Sequence, residues 1–205
     1  MTAPARTPRQ DRARATQRRL MEATVACLVE HGWAGTTTTL VAQRAGVSRG
    51  GQLFHFPTKA ALVLAAVTHL AERRAEELRA EASALGVRTP EGRVNRVVDL
   101  LAAAFTGPLF VAALELWVAA RTDADLRRAL VPLETRLGRD MHRLAVSLLG
   151  ADETRPGVRE AVQATLDLLR GLGVANLLTD DTRRRDAVLA EWKHRLVGQL
   201  RSDDG

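Results

Sequence analysis

Apolar residues recur every three or four positions along most of the chain, and the segments between them are short, polar and rich in Gly, Pro, Thr and Ser. Leu20, Ala23, Thr24, Cys27, Leu28 and His31 fall on one face of a predicted helix over 11–31, with Gly32 as its stop. A second helix is predicted over 37–44, capped by Thr36 or Thr37 and turning Leu40 and Val41 inward. A third covers 48–54. Pro57 breaks the pattern, Thr58 caps, and a long helix runs over 58–84. Its first part is apolar enough to pack on two sides, whereas Glu72 to Glu81 alternates charges like a solvated face. After Thr89-Pro90, a stripe of Val94, Val97, Val98, Leu101, Ala104 and Phe105 predicts a helix that stops at Gly107-Pro108. The next, 109–120, is apolar all round except at Glu115, which predicts a central position in its domain. Asp123 opens a stretch reaching Leu149, which Pro132 is expected to kink or interrupt. Two amphipathic helices, 156–178 and 182–201, close the chain as a hairpin turning at Thr179-Asp180-Asp181.

Nine helices without a convincing strand predict an all-α fold. Composition agrees: Ala, Leu, Arg and Glu dominate, and aromatic residues make up only 3% of the 205. The lone Cys27 excludes an intrachain disulfide framework, and with His31 it reads as a packing residue. Arginines near the first residue have no apolar run behind them, and no segment has the roughly 18 apolar residues of a membrane span. The expectation is a cytoplasmic protein with no membrane partner.

Charge changes the picture once it is divided along the chain. Residues 1–59 carry nine Lys or Arg against three Asp or Glu, and residues 60–205 carry twenty-one of each sign. The whole excess of +6 therefore lies at one end, as expected where that end meets an anionic polymer. An arm over 1–10 with Pro4 and Pro8 would be mobile and reach phosphates, or would simply be a solvated basic tail.

Within that end, Ala45-Gly46-Val47-Ser48 reads as a helix end, a turn and a cap, the arithmetic of a helix-turn-helix. Gly46 suits a positive φ, and Ser48 can accept from the free N–H groups of the next helix. Gly50 and Gly51 lower the helix propensity of 48–54 by about 1 kcal/mol each. They fit either a close approach to DNA or a packing need.

The order Gly32-Trp33, Thr36-Thr37, Ala45-Gly46-Val47-Ser48-Arg49-Gly50 and His55-Phe56-Pro57-Thr58-Lys59 resembles the TetR family of bacterial transcriptional regulators. The motifs cover about 15–62, and the nine-helix layout extends the likeness in outline to the whole chain. The resemblance implies a DNA-binding domain over 11–57, a connecting helix over 58–85, and a ligand-binding and dimerisation domain over 86–205. It implies a homodimer on a palindromic double-stranded DNA operator, released by an unidentified small-molecule effector. The alternative is a constitutive DNA-binding protein without a ligand pocket.

Carried onto matching positions, the resemblance has Thr36, Thr37 and Lys59 hold phosphates while Ser48, Gly50 and Phe54 face the duplex; His55 would sit near the backbone, cap the helix or pack in the core. Arg49 and Gln52 would read base edges, Arg on guanine and Gln on adenine. The family commonly has a phosphate-binding Tyr where this chain has Leu53, so that contact is lost and Gln52 or Phe54 carries more of the surface. The resemblance also implies an effector pocket, with Phe105, Phe110, Leu114, Glu115, Trp117, Arg121 and His142 as candidate walls. Phe105 and Trp117 at helical spacing are more often core than pocket lining. Glu115 would face a polar or cationic ligand, or pair with an arginine such as Arg121. Val162, Leu166, Leu169, Gly173, Leu177, Leu189, Trp192 and Leu196 on the closing hairpin would form the dimer interface, or else seal the monomer's own core.

The five histidines are scattered, and no HExxH, GxSxG, P-loop or dinucleotide fingerprint is present. No catalytic site, metal site or cofactor is expected.

Overall fold

In the computed structural model of the protein, the described residues are 8–84, 86 and 89–201, and they form α-helices without a strand. In chain order these are α1 (Pro8–Gly35), α2 (Thr38–Arg44), α3 (Arg49–His55), α4 (Lys59–Ser83), α5 (Pro90–Ala104), α6 (Pro108–Ala120), α7 (Ala124–Leu149), α8 (Val158–Ala175) and α9 (Thr182–Arg201). The expected arm falls outside the described residues up to residue 7, and its last three residues already belong to α1.

The local signals act where the residue chemistry puts them. Thr37, Ser48 and Thr89 cap α2, α3 and α5, each side chain accepting the N–H three residues on at 3.1 Å. Gly32 has φ 62° and ψ −175°, which breaks α1 before one last turn to Gly35. Pro132 does not interrupt α7, which continues unbroken from Ala124 to Leu149. α8 stops at Ala175, three residues short of the expected end, and Asn176 folds back to accept the Asp181 N–H at 3.1 Å.

The chain divides into two compact units that differ from the expected domains. One comprises the residues up to Glu72 together with Pro108–Glu134; the other comprises Arg73–Gly107 and the residues from Thr135 onward. The division falls inside α4 and inside α7, so each of these helices runs from one unit into the other. The first unit is built around Leu20, Ala23, Cys27, Val41, Ala45 and Leu62, with Leu40, Val47 and Phe56 packed against them. Here α6 lies along α1, where the expected domains had it at the centre of the C-terminal region. Its short apolar surface covers α1, while Val118 on another face stays exposed. In the second unit α5, α8 and α9 pack on one another, and Val98, Leu101, Val162, Leu166, Leu189 and Leu196 on them are buried.

Candidate nucleic-acid interface

The turn between α2 and α3 is a Schellman motif. Val47 N–H donates to Ala42 O at 2.9 Å, Gly46 N–H donates to Gln43 O at 3.1 Å, and Gly46 takes φ 63°. Arg44 in the last turn of α2 makes a two-pronged ion pair with Glu30 of α1, at 2.5 and 2.6 Å. That contact pulls the Glu30 carboxyl below its ordinary value, chiefly through the hydrogen bond, and commits Arg44 to the fold. The helix pair that carries α3 is thus fixed by its own chemistry.

On α3 the two sides are the reverse of what polarity suggests. Gln52 is 1% exposed, and its side-chain Nε2 donates to Phe56 O at 2.6 Å. It holds the end of α3 and is not available to adenine, which corrects the base-reading role expected for it. Facing outward are Arg49, Gly50, Leu53 and Phe54, which are neighbours at helical spacing. Phe54 is 82% exposed, with the His55 ring edge-on at 5.2 Å. His55 is half-buried between Phe54 and Phe56, supporting the exposed ring.

The two glycines of α3 have different reasons. A side chain at Gly51 would meet Val47 Cγ1 at 3.2 Å and Ser48 Oγ at 3.3 Å, a packing need. At Gly50 a side chain would meet nothing within 4 Å. No neighbour in the described chain requires glycine there.

The expected phosphate holders also separate. The Thr36 side chain is 1% exposed and donates its hydroxyl to Gly32 O at 2.8 Å, so it has no donor for a phosphate. Thr37 and Ser48 are exposed and use their oxygens only as cap acceptors, which leaves each O–H free to donate outward. Lys59 donates to Trp33 O, with its ammonium 3.8 Å from the Trp33 ring centre. Burial pushes its pKa down, offset in part by Asp123. Lys59 is therefore tied back to the α1–α2 connection, a role not read for it from the sequence; Trp33 was visible there only as the aromatic after Gly32.

The seven expected effector-wall residues are divided between the two units. Phe110, Leu114, Glu115, Trp117 and Arg121 belong to the first unit, and Phe105 and His142 to the second. His142 is buried, its Nε2 2.7 Å from Glu153 Oε1 and its Nδ1 3.2 Å from Gln163 Oε1, so its polar atoms serve the α7–α8 connection. Phe105 is buried beneath Arg170. Phe110 and Trp117 meet edge-to-face at 6.2 Å. Glu115 lies against Gly32, where an added side chain would come within 2.7 Å of its Oε2.

Nor does the expected dimer set face outward. Val162, Leu166, Leu169, Gly173, Leu189 and Leu196 are buried within the chain, and the Trp192 indole N–H donates to Thr165 Oγ1 at 3.0 Å. They close the monomer's core. Of the eight, Leu177 is exposed, beside Val174 and a 95% exposed Leu178. Ala164, Gly171, Val174 and Ala175 form the open side of α8, and Leu177 and Leu178 follow in the turn after its end.

A family model for bacterial regulatory proteins of the tetR family matches residues 20–66, from the middle of α1 into the first part of α4. The HTH-type transcriptional regulator CymR of Pseudomonas putida is 33% identical over 189 residues, covering 90% of this chain and 91% of its own. The chain belongs to the TetR family of bacterial transcriptional regulators.

Solved structures agree on the fold. A TetR transcription regulator from Haloarcula marismortui ATCC 43049 superposes with a TM-score of 0.70 at 23% identity, covering 88% of this chain and 97% of its own. The multidrug binding protein EbrR, solved with imidazole, gives 0.58 at 23% identity, covering 86% and 93%. As a TetR-family member the chain is a DNA-binding transcriptional regulator and not an enzyme. No single helix among the described residues is long and apolar enough to cross a membrane. No cluster of three or more His, Cys, Asp or Glu among them suits a metal ion.

Proposed function

We propose that this TetR-family regulator is a cytoplasmic homodimeric repressor that binds a palindromic operator through α3 and leaves it when a small-molecule effector binds. The observation that carries the DNA-reading part is the outward face of α3: Arg49, an unpacked Gly50, Leu53 and Phe54, on the end of the chain that holds the whole positive excess. Arg49 contacts a guanine edge, and Thr37 and Ser48 donate to phosphates. Dimerisation is assigned to the open side of α8 around Ala164, Gly171 and Val174 with Leu178 in the turn that follows, because a second copy would bury apolar surface that the monomer leaves in water.

The effector acts through α6. Leu114, Glu115 and Trp117 are half-buried there, and Glu115 rests on Gly32 at the break in α1. A ligand that displaces α6 is therefore felt where α1 turns toward α2. A protein of the same fold, EbrR, was solved with imidazole. The competing reading, constitutive DNA binding, draws on the commitment of His142 and Phe105 to internal contacts.

The two are separated by titrating the full-length protein onto its own upstream DNA at several salt concentrations, with and without a panel of apolar and cationic aromatic compounds. A steep salt slope and release by one compound class are expected. Binding that no compound weakens supports the constitutive reading.

A further inference from the structure

The part of α3 that faces outward is chemically unusual for a surface that meets DNA. Beside Arg49 it offers no polar side chain; it offers a bare Gly50 and the hydrocarbon of Leu53, 46% exposed, and Phe54, 82% exposed. A single exposed apolar residue needs no explanation. Three features together do. The two are adjacent on a seven-residue helix, they lie one turn after a glycine that the described chain does not need, and the aromatic ring is propped by His55. A backbone that lacks a side chain at position 50 can come close to the floor of a groove, which brings residues 53 and 54 with it. The one apolar group that B-form DNA displays on the major-groove edge of its bases is the C5-methyl of thymine. A protein partner is disfavoured by charge, because residues 1–59 carry nine basic and three acidic side chains.

We propose that Leu53 and Phe54 read thymine C5-methyl groups, so that each operator half-site joins a guanine contacted by Arg49 to neighbouring thymines. This rests on the assignment of α3 as the reading helix. Methyl recognition takes over the surface where Gln52, turned inward, contributes nothing.

The test uses the full-length protein to enrich duplexes from a random-sequence library. The preferred duplex is then remade with deoxyuridine at one thymine at a time, a change that removes only the methyl group. At one or two thymines in each half-site, affinity is expected to fall about fourfold per methyl lost, from the transfer energy of one such group. It should fall more than tenfold when both half-sites are changed. The Phe54→Ala and Leu53→Ala variants, altered at exposed positions, should bind the thymine duplex more weakly and no longer distinguish it from its deoxyuridine form. Equal binding of thymine and deoxyuridine duplexes by the unaltered protein, with sequence preference intact, overturns methyl reading and leaves α3 as the reading helix. Failure to enrich any sequence removes the assignment of α3 itself, and the proposal with it.

Discussion

A glycine within a helix costs about 1 kcal/mol relative to alanine, and at position 50 nothing in the described chain demands one. Gly50→Ala is therefore expected to stabilise the free protein by up to about 1 kcal/mol in a thermal melt while weakening operator binding. A variant that melts higher and binds as tightly would mean that the groove makes no claim on this position. Arg49 and Gln52 should divide in the same way. Arg49→Ala leaves the melt unchanged and loses about 1–3 kcal/mol of discrimination at one or two base pairs. Gln52→Ala removes the donor to Phe56 O from a buried site and costs about 1–3 kcal/mol of stability, read by denaturant unfolding. The sequence marked α3 and its cap without marking its faces. Seven residues make barely two turns, too few for a periodic stripe, and here the usual rule inverts: the amide goes in to hold the helix end and the aromatic stays out. Thr36 and Thr37 show the same limit, since adjacent identical residues take opposite roles that only the break at Gly32 decides.

At the scale of elements, the link most open to measurement is the Glu30–Arg44 pair joining α1 to α2. The folded protein holds the Glu30 carboxyl below its ordinary 4.5, so the pair's contribution is fully present above that pH and is lost as the pH falls through the depressed folded value. Acid unfolding of the unaltered protein and of Arg44→Gln should therefore differ near neutrality and converge at low pH. A constant difference across the range would show that the pair does not stabilise the fold. The helices themselves were legible because their caps and stops are local chemistry: Thr37, Ser48, Thr58 and Thr89 each accept the N–H three residues on. What α6 packs on was not legible. A helix apolar on nearly every side specifies burial without specifying a partner, and its partner proved to be α1.

For the whole molecule, the same ambiguity governed the closing hairpin. Its strongest apolar stripe, through Val162, Leu166, Leu169 and Leu189, could not be assigned from spacing to a second chain or to the chain's own core, and it belongs to the core. The surface left for a second copy is the weaker one, with small residues and an almost fully exposed Leu178. Val174→Asp combined with Leu178→Asp should convert the proposed dimer to a folded monomer in sedimentation equilibrium, whereas Leu166→Asp should unfold the chain. Dimers that survive the paired change would relocate the interface. The proposed repressor places two copies of α3 on one palindrome, and hydroxyl-radical footprinting on the upstream DNA at physiological salt tests this directly. The prediction is two symmetric protected stretches centred about one helical turn, ~34 Å, apart or near that, both weakened by Arg49→Ala. Uniform, sequence-independent protection that Arg49→Ala leaves unchanged would contradict it.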